Sequence, residues 1–89
     1  MDHFKGHILE VKDRKIVKVT GVKHVISYDD KEIVLETSMG DLIIRGSDLN
    51  INSLNLEDGS LQVIGLAENL LYSEEAGARR KNFIKRILK

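Results

Sequence analysis

The sequence contains no cysteine, no proline and no tryptophan, and its aromatic residues are two tyrosines and two phenylalanines. Without cysteine the chain has no disulfide bonds, no thiolate metal sites and no thiol nucleophile. It also lacks any apolar run near the roughly 20 residues that a transmembrane helix needs. The first residues include Asp2 and His3, where a secretion signal would carry positive charge before an apolar stretch. We therefore expect a cytoplasmic protein.

The 89 residues suffice for one globular domain. With 42% apolar and 31% charged residues, the composition is typical of a folded chain rather than a disordered one. A chain of this length buries only about 60 to 65% of the surface that its unfolded state exposes, so we expect a single thin core.

The net charge of zero conceals an unequal distribution. Residues 1–75 carry 8 Lys and Arg against 14 Asp and Glu, a formal charge of −6. Residues 76–89 carry the other 6 basic residues and no acidic one, a formal charge of +6. A basic segment beside an acidic body indicates an electrostatic partner, such as a membrane, a nucleic acid, an acidic protein or the body of a second copy.

From His7 to Tyr72 apolar and polar residues alternate, which predicts strands that each place one face on a core. Turn residues interrupt the alternation at 12–15, 28–31, 39–41, 46–48 and 57–60, and Asp58-Gly59 is the strongest hairpin signal. The pattern predicts a mainly β fold of six or seven strands: a small antiparallel sheet, a roll or a solenoid-like domain. We place an N-terminal extension at 1–6, the β domain at 7–72 and a tail at 73–89.

A short internal repeat lies within the β domain, where residues 40–46 (GDLIIRG) match residues 59–65 (GSLQVIG) at an offset of 19. One interpretation is a β-solenoid or roll in which each copy adds a coil. The other is a pair of similar strands that each end at a glycine turn. Both interpretations place Leu42, Ile44, Leu61 and Val63 in the core.

After Tyr72 the apolar period changes to that of a helix. Ser73 can cap free N–H groups, and the two glutamates that follow it suit the positive end of a helix dipole. At about 100° per residue the large apolar side chains share an arc of roughly 140°. They are Phe83, Ile84, Ile87 and Leu88. The segment predicts a C-terminal, basic amphipathic helix.

This helix supplies the candidate contact residues of the chain, for which three interpretations stay open. It could bind an anionic membrane surface or a protein partner. It could instead pack its apolar stripe onto the sheet, with the charges facing solvent. Nucleic-acid binding is disfavoured, because the body is acidic and the few aromatic residues are too dispersed to form a stacking platform. The candidate contacts are Arg79, Arg80, Lys81, Phe83, Ile84, Lys85, Arg86, Ile87, Leu88 and Lys89.

The groups that could support catalysis or metal binding fit ordinary surface roles better. His3 and His7 would share a face only on a helix, and the sequence around them is not helical in pattern. Asp29, Asp30 and Glu32 lie in a predicted turn without the ligand order of an EF-hand, which indicates a solvated hairpin tip. The serines show no nucleophile-elbow pattern. We predict no catalytic, cofactor or metal site, and a protein that is not an enzyme.

Several stretches carry a family resemblance through their order and spacing: Val19–Val22, Ile33–Thr37, Gly40–Gly46, Leu54–Gly65 and Leu71-Tyr72. Together with the basic, apolar run 81–89, they resemble the YabP/YqfC family of sporulation proteins, and more closely its YabP branch. The resemblance covers nearly the whole chain from His7 onward. Leu66 departs from the polar or basic residue expected at its position.

The resemblance implies a small protein made during endospore formation and linked to cortex or coat assembly at the forespore envelope. It brings no catalytic residues to this chain. Our first hypothesis is a non-enzymatic scaffold or interaction module with a protein partner, peripheral contact with an anionic membrane, and self-association through sheet edges. The alternative is a small nucleic-acid-binding β-barrel with a basic tail.

Overall fold

A computed structural model of the chain describes residues 6–73, which form one six-stranded antiparallel sheet. The first four strands are short: β1 (Leu9–Lys12), β2 (Ile16–Val19), β3 (Val22–Tyr28) and β4 (Glu32–Thr37). The last two are long: β5 (Gly40–Asn55) and β6 (Ser60–Ser73). The order across the sheet is β1-β2-β6-β5-β4-β3, so the two long strands lie at its centre. The prediction of a mainly β chain is confirmed.

The long strands divide the sheet into two halves because each pairs with different neighbours along its length. The first part of β5 lies between β4 and the end of β6, whereas the first part of β6 lies between β2 and the end of β5. The pairing of β5 with β6 is interrupted by three register shifts. They lie between Arg45 and Gly46, between Ser47 and Asn50, and between Ile51 and Ser53. Such irregularities bend and twist strands. The chain can therefore gather the core-facing side chains of both halves into one cluster.

The core is a single cluster of aliphatic side chains drawn from every strand except β1, which contributes Leu9 at its margin. The four residues placed in the core by the repeat are all buried there, so that prediction is confirmed. The cluster consists of Val17, Val19, Val22, Ile33, Leu35, Leu42, Ile44, Leu49, Leu61, Val63 and Ala67.

The turns confirm most of the predicted breaks, and the glycine repeat requires a correction. Strand β5 continues through 46–48, where a chain reversal was predicted, and the irregularity there is a bulge rather than a turn. Nor do the repeat copies stack as coils: they lie in antiparallel strands, and residues 40–46 pair with the far end of β6 instead of with residues 59–65. The prediction of an antiparallel sheet is therefore correct, and the solenoid interpretation is wrong. Gly46 and Gly65 also lie within β5 and β6 rather than at turns that end the strands, as the other interpretation of the repeat supposed.

Close packing of the two long strands explains the repeated glycines. A Cβ atom on Gly46 would lie 1.8 Å from the carbonyl oxygen of Leu66, and one on Gly65 would lie 2.5 Å from that of Asp48. Gly65 also has a φ of +132°, which side-chain-bearing residues rarely adopt. The two glycines thus permit two backbones to approach where β5 and β6 bend.

Candidate functional site

The half of the sheet formed by β3, β4, β5 and the end of β6 has an apolar strip on the face opposite the core. Along β4 and β5 the core residues alternate with Val34 and Ile43, which therefore point to the other face. Val34 pairs with Ile43, and Ile43 pairs with Leu71 of β6. These three side chains form a row across neighbouring strands, which we call the outer strip.

Two members of the outer strip are buried, although they lie outside the core cluster. Val34 is 1% exposed and Ile43 is 2% exposed, whereas Leu71 is 40% exposed. Ile64 gives an internal comparison, since it also points away from the core and has a strand on both sides. Its exposure is 36%. A strand on each side therefore does not by itself bury an outward isoleucine to the extent seen at Ile43.

Acidic side chains border the outer strip on one side. The next row of paired residues is Glu36, Asp41 and Ser73, in which Glu36 pairs with Asp41 and Asp41 with Ser73. Asp41 is only 2% exposed. A buried carboxylate favours cationic or hydrogen-bonding groups nearby, because desolvation of an ionised group is costly. This row, the acidic rim, adds negative charge beside apolar surface.

An ion pair borders the strip on the other side. The Arg45 Nε donates to Glu32 Oε2 at 2.8 Å, and these two residues are partners in the register of β4 and β5. The Glu32 side chain is 11% exposed and that of Arg45 is 42% exposed. Glu32 was assigned to a solvated hairpin tip with Asp29 and Asp30. Those aspartates are exposed at the turn, but Glu32 is part of the sheet face.

A histidine–tyrosine contact joins the beginning and the end of the described chain. The His7 Nδ1 donates to the Thr20 carbonyl at 2.8 Å, and its Nε2 hydrogen-bonds the Tyr72 hydroxyl. The two rings meet edge to face, with centroids 5.6 Å apart. Burial raises the pKa of the Tyr72 phenol above its ordinary value of 10.0. This contact links the segment before β1 to the end of β6.

A shallow apolar depression lies on the other half of the sheet. Its volume is about 400 Å³, and its apolar side chains include Ile16, Ile64 and Leu66. Leu66, the residue that departs from the expected family pattern, is exposed and lines the depression. Lys15, Ser47 and Asp48 also line the depression, but its accessible lining is mainly apolar, so it offers little to orient a small polar ligand.

Residues 6–73 bring no three metal-ligating side chains together. His24 is exposed on β3, and Asp29 accepts hydrogen bonds from the backbone N–H groups of Lys31 and Glu32, as a turn aspartate does. In the same part of the chain, no helix has the length and apolar content to cross a membrane. The predicted tail helix and its ten candidate contacts, from Arg79 to Lys89, lie outside the described residues.

The sequence analysis missed the outer strip, although the sequence contains a signal for it. Residues 33–35 (IVL) and 42–44 (LII) are consecutive apolar runs that break the alternation found elsewhere in the sheet. A strand that is apolar on both faces indicates burial on both faces. These two runs are neighbours in the structure, and their middle residues are Val34 and Ile43.

Comparison with known proteins shows the family to which the chain belongs. The sequence model of the YabP family matches residues 3–79. The chain belongs to the YabP family. Among curated proteins it is similar to Spore protein YabP of Bacillus subtilis (strain 168), with 38% identity over 84 residues, which cover 93% of this chain and 84% of that protein. The resemblance stated from the sequence is thereby confirmed, and the outer strip is a surface of a YabP family member.

Proposed function

We propose that this YabP family protein is a non-enzymatic sporulation protein that acts as a scaffold or interaction module in spore envelope assembly, in the cortex or the coat. Involvement in sporulation is supported by family membership and by the name of its relative, Spore protein YabP. The structural observation that supports an interaction role is the set of apolar side chains that the sheet leaves exposed, which includes Ile64, Leu66 and Leu71, since exposed apolar surface is of the kind that binds another polypeptide.

The basic tail supplies the second half of the proposal. Phe83, Ile84, Ile87 and Leu88 insert into a membrane surface or pack on a protein, while the six Lys and Arg residues face anionic groups. Each cation near an anionic membrane contributes about 1 kcal/mol at modest salt. The proposed location is the cytoplasmic side of the forespore envelope, with a protein of the envelope machinery as partner. No cofactor is required, and self-association is a further proposed contact.

The experiment is a binding comparison between the full chain and a variant in which the four apolar tail residues become serine. We expect the variant to lose at least about tenfold in binding to vesicles containing phosphatidylglycerol, or in capture of a partner from sporulating cells. A matched control replaces Leu54 and Leu56, which are exposed near the tip of the β5–β6 hairpin. The control should bind as the original chain does.

Two results would contradict the proposal. If the serine variant binds vesicles and captures the partner as the original chain does, the tail does not make the proposed contact. Tight oligonucleotide binding that falls steeply as salt rises would favour the nucleic-acid alternative, because phosphate contacts release counterions.

A further inference from the structure

Strand β1 ends the sheet on an accessible edge. Within residues 6–73 it pairs with β2 on one side only, and Glu10, Val11 and Lys12 are all exposed. Val11 is 38% exposed although it pairs with Val17 of the core. A strand at an edge presents backbone N–H and C=O groups that can pair with another chain. The edge therefore offers a template for one more strand.

The hydrogen bonds between β1 and β2 show which backbone groups face that edge. The Thr20 N–H donates to the Ile8 carbonyl at 2.9 Å, which makes these two residues a hydrogen-bonded pair. Such pairs alternate along antiparallel strands, so the backbone groups of Glu10 and Lys12 are also directed to β2. The N–H and C=O groups of Val11 therefore point away from β2, toward the open edge.

The edge at the opposite end of the sheet is less suited to pairing. The pairing of β3 with β4 has register shifts between Val22 and His24 and between Val25 and Ser27. Irregularities of this kind disrupt the ladder and twist an edge away from a further strand. The pairing of β1 with β2 has no register shift. The regular edge is therefore β1.

The charges on β1 select a partner and a register. Because Val11 pairs with a core residue, Glu10 and Lys12 on either side of it point to the outer face. When two copies of β1 pair antiparallel around Val11, each Glu10 lies opposite the Lys12 of the other copy. Val11 then forms a hydrogen-bonded pair with itself, and the charged residues form non-hydrogen-bonded pairs, in which side chains are closest. The edge is thus complementary to itself.

The neighbouring registers that use the same backbone groups bring like charges together. A shift of two residues in one direction sets Glu10 opposite Glu10, and a shift in the other direction sets Lys12 opposite Lys12. Like charges directly opposite each other are destabilising. A lysine on a short edge strand ordinarily resists pairing. Here the nearby glutamate removes that resistance for one partner, a second copy of the same strand.

We propose that two copies of this chain join through β1, in an antiparallel, two-fold pairing centred on Val11. The sheets of the two copies then form one continuous sheet across the two-fold axis. The pairing gives a strand and a register to the self-association in the proposed function, and its use in the spore envelope rests on that function. Because the contact is short, we expect monomer and dimer to exchange with concentration.

Complementary charge reversals test the pairing. Sedimentation of the purified full chain from micromolar to millimolar concentration should show a dimer. Glu10→Lys opposes lysines across the axis and Lys12→Glu opposes glutamates, so each variant alone should weaken the dimer at least about tenfold. An equal mixture of the two variants places opposite charges in both cross-strand pairs. It should restore dimer formation to the level of the original chain.

Glu57→Lys and Lys23→Glu are the matched controls, because both residues are exposed and lie outside β1. They change the net charge by the same amounts, so an effect of overall charge would also appear in them and in their mixture. Glu10 pairs with Lys18 of its own chain as well, and rescue in the mixture separates a contact between copies from that internal pair.

Four results would overturn the proposal. They are an original chain that stays monomeric at every concentration, single β1 variants that dimerise as it does, a mixture of these variants that is not restored, and controls that behave as the β1 variants do.

Cysteine trapping tests the register. Because the sequence has no cysteine, Glu10→Cys and Lys12→Cys each create a single thiol. A disulfide needs Cα atoms less than about 7 Å apart. In the proposed register, position 10 of one copy lies directly opposite position 12 of the other, whereas like positions are diagonal neighbours about 7–8 Å apart. Oxidation of an equal mixture, with one chain isotope-labelled for mass analysis, should yield mainly the mixed disulfide. Mainly like-with-like disulfides would overturn the register.

Both experiments use the purified chain without membranes or other proteins, so they are independent of the proposed function. Dimer formation by a chain that does not reach the forespore envelope would contradict the proposed function and support the pairing. Failure of the pairing in a chain that lines the envelope would contradict the pairing alone.

Discussion

Gly46 and Gly65 occupy positions where β5 and β6 leave no room for a side chain. Their Cβ atoms would meet backbone carbonyl groups, which cannot move aside as the end of a flexible side chain can. The sequence showed these glycines as the ends of two repeat copies, but spacing along one chain does not reveal which backbones approach each other. The contact arises from the pairing of β5 with β6, a long-range feature.

Gly46→Ala should therefore lower the free energy of unfolding by about 3 kcal/mol, as expected for an overpacked site that shifts backbone. Chemical denaturation measures the change. Gly6→Ala is the control, because an added Cβ there has nothing within 4 Å. Its cost should stay near 1 kcal/mol, the strain of a positive φ. Equal costs for the two variants would contradict the close approach.

Tyr72 should make the stability of the folded chain depend on pH in the alkaline range. Burial raises the pKa of its phenol in the folded state, so folding favours the neutral form. That contribution is fully present below the ordinary pKa of 10.0 and is lost as pH rises through the higher folded value. Because Tyr72 is still 43% exposed, we expect only a small fall in the stability of the chain above about pH 10, and a smaller one in Tyr72→Phe. Denaturant titrations at several pH values in this range measure the effect. An equal loss of stability in the two chains would contradict this role of Tyr72.

At the scale of elements, β4 and the first part of β5 are buried on both faces, unlike the other strands. Alternation predicted the strands and the core residues because one-sided burial produces a period of two. Alternation does not reveal the outer strip, because Val34 and Ile43, the middle residues of the runs IVL and LII, do not fit a period of two. The turn at 46–48 was also mispredicted, because Gly-Ser-Asp suits a bulge inside a long strand as well as a chain reversal.

Matched substitutions at Ile43 and Ile64 test whether the outer strip has a cover. Ile43→Ser should lower the free energy of unfolding by about 2 kcal/mol or more, because it removes buried apolar atoms. Ile64→Ser should cost less than Ile43→Ser, since Ile64 is already 36% exposed to water. Similar losses at both positions, measured by denaturant titration, would show that the two outward faces are equivalent.

At the scale of the whole molecule, an acidic body and a basic tail are joined in one chain. The sequence alone revealed this division, because charge counts need no structure. It could not choose between a membrane, a partner and the sheet as the site that receives the tail.

The most direct test of the proposed role is the position of a fluorescent fusion of the full chain in sporulating cells. The comparison is the same fusion with Phe83, Ile84, Ile87 and Leu88 replaced by serine, at matched expression. We expect the original chain to line the forespore envelope and the serine variant to be diffuse. Diffuse fluorescence from both, or accumulation of the original chain on the nucleoid, would contradict a tail-directed role in the spore envelope.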